Sequence, residues 1–100
     1  MSELTSKQRA FLRSKAHSLK PVIHIGAGGV TPAVLQSIGD AFNTRELLKV
    51  KILDTAPDGA RETGDAIAAG LTGVQIPQTI GRTVVLYRPF PEDPELNLPG

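Results

Sequence analysis

A single α/β (α+β) domain built round a mixed sheet follows from three observations. Helical and strand-like hydrophobic periods alternate along the chain, the last two strand-like runs are joined by a tight glycine turn, and 100 residues leave room for one core. Strands separated by helices pair in parallel, and the closing turn adds an antiparallel pair. The expected sheet is therefore mixed, in two or three layers.

The elements follow in order. Thr5, with Gln8 three residues later, is a capping-box start for a first helix. Leu12, Ala16 and Leu19 recur at helical spacing and face inward, with Phe11 at the margin. Arg9 and Arg13 stack one turn apart beside that stripe, and Lys20 continues the line where the helix frays into Pro21, so three cations form a ridge. Residues 22–25 (Val-Ile-His-Ile) read as a short strand, and the glycine-rich run 26–29 follows at once. Thr31 and Pro32 then supply an N-cap and a first-turn proline for a second helix that buries Val34, Leu35, Ile38, Ala41 and Phe42.

Residues 47–53 form the second strand, whose alternation sends Leu48, Val50 and Ile52 to one side and Lys49 and Lys51 to the other. After the turn Ala56-Pro57-Asp58-Gly59, a third helix is predicted over residues 60–71 with Gly64, Ile67, Ala68 and Leu71 inward. Gly64 and Gly70 weaken it by about 1 kcal/mol each relative to alanine. Residues 74–80, interrupted by Pro77, read as an edge strand, and Gly81 turns the chain into a last strand over 82–88. There Val84 and Leu86 face one way and Thr83, Val85 and Tyr87 the other. Residues 1–88 make the domain, and 89–100 form an acidic tail, with four prolines and three acids, expected to be extended and mobile.

The net charge of +1 conceals a division. Residues 1–53 carry eight Lys or Arg against three acids, a balance of +5, whereas residues 54–100 carry three Arg against seven acids, a balance of −4. Such asymmetry points to a polyanionic partner. Zero cysteines exclude disulfide scaffolds, thiolate zinc sites and thiol nucleophiles, and two histidines cannot build a three-histidine metal site. No metal and no small-molecule cofactor is expected. No window reaches the roughly 18 unbroken apolar residues of a membrane span, and the stretch from Met1 to Gln8 lacks the apolar run of a signal peptide. The protein is expected to be cytoplasmic, with no membrane partner. His17 and His24 stand seven apart with no Ser/His/Asp order or carboxylate pair beside them, and both are read as packed or hydrogen-bonded groups. No catalytic residue is assigned, and the chain is not expected to be an enzyme.

Gly26, Ala27, Gly28 and Gly29 lie between a strand and a helix, where unobstructed amides and the helix dipole together can hold phosphate. Three readings compete: a tight turn that needs positive φ, a dinucleotide fingerprint, and a G-x-x-G loop on an RNA backbone. The fingerprint fits poorly, because Thr31 stands where its third glycine belongs and Asp54 lies 28 residues after Gly26 instead of about 20. The RNA reading gains from the ridge of Arg9, Arg13 and Lys20 and from Lys49 and Lys51 on a nearby strand, since many phosphates require dispersed cations.

Four ordered blocks add a resemblance: Leu19-Lys20-Pro21-Val22, Ile25-Gly26-Ala27-Gly28-Gly29, Glu46-Leu47-Leu48-Lys49-Val50-Lys51, and Ile80-Gly81-Arg82-Thr83-Val84-Val85-Leu86-Tyr87-Arg88-Pro89. Over about residues 4–89 the chain resembles the CRM-domain family, represented in bacteria by small proteins of the YhbY type. The resemblance implies an RNA-binding domain with a four-stranded mixed sheet in helix-strand-helix-strand-helix-strand-strand order, similar to the C-terminal domain of translation initiation factor three. It also implies association with precursors of the large ribosomal subunit, and an RNA-facing loop at residues 26–29. The middle of that loop holds Ala27 and Gly28 instead of Lys or Arg, so contact there falls to main-chain amides. Phe11, Phe42, Tyr87 and Phe90 are assigned to packing, which directs recognition towards phosphates, 2′-hydroxyls and the shape of a structured RNA. The second functional class is a protein-interaction module docking on a ribosomal or assembly protein through the acidic half.

Overall fold

The computed structural model describes residues 4–99. Thr5 caps α1 (Ser6–Ala16) as its spacing predicts: its hydroxyl accepts from the Gln8 amide at 3.1 Å, and the Gln8 side chain accepts from the Thr5 amide at 3.0 Å. After strand β1 (Ile23–Ile25), helix α2 (Pro32–Ala41) opens with the Thr31 hydroxyl accepting from the Val34 amide at 3.1 Å and with Pro32 in the first turn. Strand β2 (Leu47–Ile52), helix α3 (Ala60–Gly70) and the hairpin strands β3 (Gln75–Ile80) and β4 (Thr83–Tyr87) complete the predicted order.

The sheet runs β1-β2-β4-β3, parallel between β1 and β2 and antiparallel elsewhere. Its mixed character follows from connection length: α2 carries the chain back between parallel strands, while two residues suffice to reverse it between β3 and β4. Leu48, Val50 and Ile52 of β2 meet Ile38, Phe42 and Ile67 on the face covered by α2 and α3. On the opposite face Leu12 and Ala16 of α1 pack on Leu47, Val85 and Tyr87. The result is three layers, in which each buried aliphatic side chain contributes about 1.5–3 kcal/mol. No helix among the described residues is long and apolar enough to cross a membrane.

Two features that look unfavourable in isolation have packing reasons. A Cβ on Gly64 would lie 3.2 Å from both Ile76 Cδ1 and Val84 Cγ1, so glycine lets α3 approach the sheet closely. Pro77 sits in the outer strand β3, where pairing jumps from Gln75–Tyr87 to Gln78–Val85. Two residues there oppose one, a bulge that tolerates the missing amide hydrogen.

The tail departs from its predicted mobility. Glu46, 2% exposed, accepts the Phe90 amide on Oε2 at 2.6 Å and the Leu96 amide on Oε1 at 2.7 Å. Leu96 and Leu98 pack beside Phe11 and Leu19, and the Gln8 Nε2 donates to the Pro99 carbonyl at 3.1 Å. Composition favours an extended segment, and the segment is extended, but a buried carboxylate and two leucines hold it in place. Glu46→Gln leaves an amide nitrogen facing a backbone donor and is expected to cost about 2 kcal/mol. Denaturant unfolding measures that loss, and accelerated hydrogen exchange at the Leu96 amide reports release of the tail. Unchanged exchange there would show that the carboxylate does not hold it.

Burial, and second the Glu46 carboxylate, push the phenol of Tyr87 above its ordinary value of 10.0. The native state then holds this proton more tightly than the unfolded chain. Stability is independent of the group below about pH 10 and falls as pH rises from there towards the native value. Tyr87 is the single tyrosine, so its phenolate absorbance titrates cleanly; Tyr87→Phe should flatten the alkaline limb of the stability curve.

Candidate nucleic-acid interface

Alternation of β2 places Lys49 and Lys51 on the face that α1 covers only in part. Arg13 and His17 from the end of α1, Lys49 from β2, and Gln78 and Ile80 from β3 line one cleft of about 430 Å³. Arg13 and Lys49, 36 positions apart in the chain, thus share a wall-and-floor arrangement that neither helix nor strand periodicity alone could specify. Both histidines are expected to be packed or hydrogen-bonded, but His17 is exposed at the helix end and His24 on β1, and neither ring makes a hydrogen bond among the described residues. Among the described residues no group of three or more His, Cys, Asp or Glu could hold a metal ion.

The five predicted cations are not equivalent. Arg9 donates from Nη1 to the Ile76 carbonyl at 3.2 Å, and Lys49 donates from Nζ to the Leu19 carbonyl at 3.0 Å. Arg9 thereby ties α1 to the bulged strand, while Lys49 ties the connection between α1 and β1 to β2. Both retain donors for a second partner. Arg13, Lys20 and Lys51 are exposed, and their side chains make no hydrogen bond or ion pair among the described residues. The predicted three-cation ridge is corrected in one respect: α1 stops at Ala16, and Lys20 belongs to the segment that leads into β1. It remains next in sequence to Leu19, whose carbonyl holds Lys49.

Gly26 to Gly29 close a turn in which the Gly29 amide donates to the Gly26 carbonyl at 3.0 Å. That amide is therefore committed internally, whereas the Gly26, Ala27 and Gly28 amides make no backbone hydrogen bond among the described residues. Gly29 has φ +64°, and a Cβ there would lie 3.0 Å from Pro57 Cγ, whereas a Cβ on Gly28 meets nothing nearer than Thr31 Cγ2 at 3.9 Å. Only Gly29 is thus required by the turn, while Gly28 has room for a Cβ. Arg82, absent from the predicted site, anchors the same end of the sheet. It donates from Nε to the Ile52 carbonyl and from Nη2 to the Leu53 carbonyl, and pairs with Asp54 at 3.3 Å.

A larger cleft of about 600 Å³ lies between the end of α3 and Pro89, lined mostly by small and apolar residues together with Thr72 and Gln75, and with no cation. Its chemistry does not suit a polyanion. Phe42 and Tyr87 are buried, and Phe11 and Phe90 half-buried, in keeping with packing roles.

The model of the CRS1/YhbY (CRM) domain family matches residues 4–88. A Bacillus subtilis protein named "Probable RNA-binding protein YqeI" is 41% identical over 96 residues, covering 96% of this chain and 99% of the relative. A Haemophilus influenzae protein named "RNA-binding protein" is 39% identical over 99 residues, covering 99% and 98%. The solution structure of the hypothetical protein SAV1595 from Staphylococcus aureus superposes with a TM-score of 0.80 at 36% identity, covering 97% of this chain and 100% of that one.

The two loop glycines should separate in a stability measurement. Gly29→Val, forced into a positive φ against Pro57, is expected to lose more than about 1 kcal/mol, whereas Gly28→Val stays within about 0.5 kcal/mol of the parent. Urea unfolding of the pair decides it, and equal losses would refute the division.

Proposed function

The chain belongs to the CRS1/YhbY (CRM) domain family, and from that premise we propose that it binds structured ribosomal RNA in precursors of the large ribosomal subunit, acting in ribosome assembly. The observation that carries the reading is the joining of Arg13 and Lys49 in one cleft, on the sheet face that also bears Lys51 and leads to the glycine turn. Relatives named as RNA-binding proteins over nearly their whole length support the partner class.

In this reading Arg13, Lys20 and Lys51 bind phosphates directly. Arg9 and Lys49 add charge while holding α1 in place, and the Ala27 and Gly28 amides receive a phosphate at the loop. Binding is the whole activity proposed: the protein works in the cytoplasm without a cofactor and performs no catalysis. The docked tail favours this reading over the protein-interaction module, because Glu95 lines a separate cleft with Lys15 and Arg45 and leaves the cations of the RNA face uncovered.

If about four phosphates are contacted, log affinity for ribosomal RNA falls against log salt with a slope of about −3 to −4. Arg13→Ala and Lys51→Ala should each reduce the magnitude of that slope by about one. Gly28→Val should weaken binding without loss of stability. A slope near zero in filter binding across a salt series would overturn the electrostatic reading, and particle association resistant to nuclease would favour a protein partner instead.

A further inference from the structure

The three large hydrophobic side chains left exposed among the described residues all lie on one face of the sheet. They are Val22 at 40%, Leu53 at 38% and Ile80 at 57% exposure. Ile23 and Ile25 pack with the α2 and α3 core, so Val22 and His24 face the other way. The same alternation places Leu53 with Lys49 and Lys51. Ile80 pairs with Thr83, which shares its face with the α1-covered Val85 and Tyr87. Scattered singly these residues would need no explanation, but here they border one strip that α1 leaves uncovered.

Pairing continues through that strip from His24 to Lys51, from Lys51 to Thr83 and from Thr83 to Ile80, one row across four strands. Three interstrand spacings give a floor about 14 Å long. It opens at one end on the cleft of Arg13 and Lys49, through Ile80. At the other end Leu53 Cδ1 lies 3.6 Å from the position of a Cβ on Gly26, which brings the floor to the glycine turn. The row contains a cation and a histidine but no carboxylate, and Asp54 beside it is paired with Arg82.

We infer that this uncovered strip is a second recognition surface, on which an unpaired segment of the bound RNA lies with its sugars and bases against Val22, Leu53 and Ile80. The inference rests on the RNA-binding reading above and adds to it the kind of RNA structure read. Its reason is chemical complementarity: a ligand for this strip must offer apolar surface and regularly spaced negative charge together. An unpaired strand offers both, whereas a duplex presents its phosphates outward and keeps its base faces stacked. Lys51 and the Ala27 and Gly28 amides hold the flanking phosphates, and aliphatic side chains cover the sugar and base faces that in other folds rest on aromatic rings.

The test uses the full chain and the double variant Val22→Ser/Leu53→Ser, whose exposed positions lie outside the Arg13–Lys49 cleft and whose charge is unchanged, so that folding and salt slope are left alone. Two probes are titrated: a stem-loop oligoribonucleotide with an unpaired loop, and a perfect duplex of matching length. The parent should prefer the stem-loop, and the double variant should lose about tenfold in affinity for it, with duplex binding, salt slope and thermal midpoint unchanged. Equal binding of the stem-loop by parent and variant would overturn the strip while leaving the electrostatic site standing. Failure of the parent to bind either RNA would overturn the underlying RNA-binding reading. Normal RNA binding by the variant, with loss of nuclease-resistant association with ribosomal particles, would assign the strip to a protein and overturn the inference.

Discussion

The alternation of β2 is the constraint on which the other elements depend. Leu48, Val50 and Ile52 bind it to α2 and α3, and their fully apolar sequence makes that face a continuous core. The other side changes character along its length, from buried Leu47 to half-buried Lys49 to exposed Lys51. A helix can lie only where the strand beneath it is apolar, so α1 settles over Leu47, Val85 and Tyr87 and stops short of the lysines. The open strip is therefore a product of the strand's composition, and a continuous leucine face would have drawn a covering element over it.

Lys49 stands at the border between the two regimes. Lys49 is half-buried, and its ammonium meets the Leu19 carbonyl, satisfying a backbone group in the segment that runs from α1 to β1. One side chain thus holds the α1–β1 connection to the sheet and contributes charge to a cleft. Arg9 behaves similarly at the bulged strand. Their neighbours Arg13, Lys20 and Lys51 carry no such duty, which makes the cationic surface a mixture of fixed and adjustable charges. In the proposed RNA complex the fixed charges would lose less conformational freedom on binding, and the adjustable ones would accommodate variation in phosphate position.

Local signals in the sequence were legible wherever their physics was local. The capping box at Thr5 and Gln8, the Thr31-Pro32 helix start, the edge strand with Pro77 and the opposed faces of β2 all depend on spacing within a few residues, and the structure has each of them. Lys20 lay beyond reach because the periodicity of α1 does not say which turn is its last. Glu46 was hidden for a stronger reason: its partners are amides of Phe90 and Leu96, and an amide carries no mark in the amino-acid type. Ile80 and Val22 read as ordinary strand residues until pairing shows that nothing covers them. The cleft required the same long-range knowledge, since it joins α1, β2 and β3.

The hydrogen bond from Gln8 to the carbonyl of Pro99 joins positions 91 residues apart. Residues 8–99 therefore come close to forming a ring, with the first helix and the docked tail meeting at one corner. A ring tolerates being opened elsewhere: a short bridge across that corner, with new ends placed in an exposed turn such as residues 57–58, would preserve every strand pairing. The order in which the elements are synthesised is thus separable from their arrangement in space, and the corner is a natural point at which another domain can be joined.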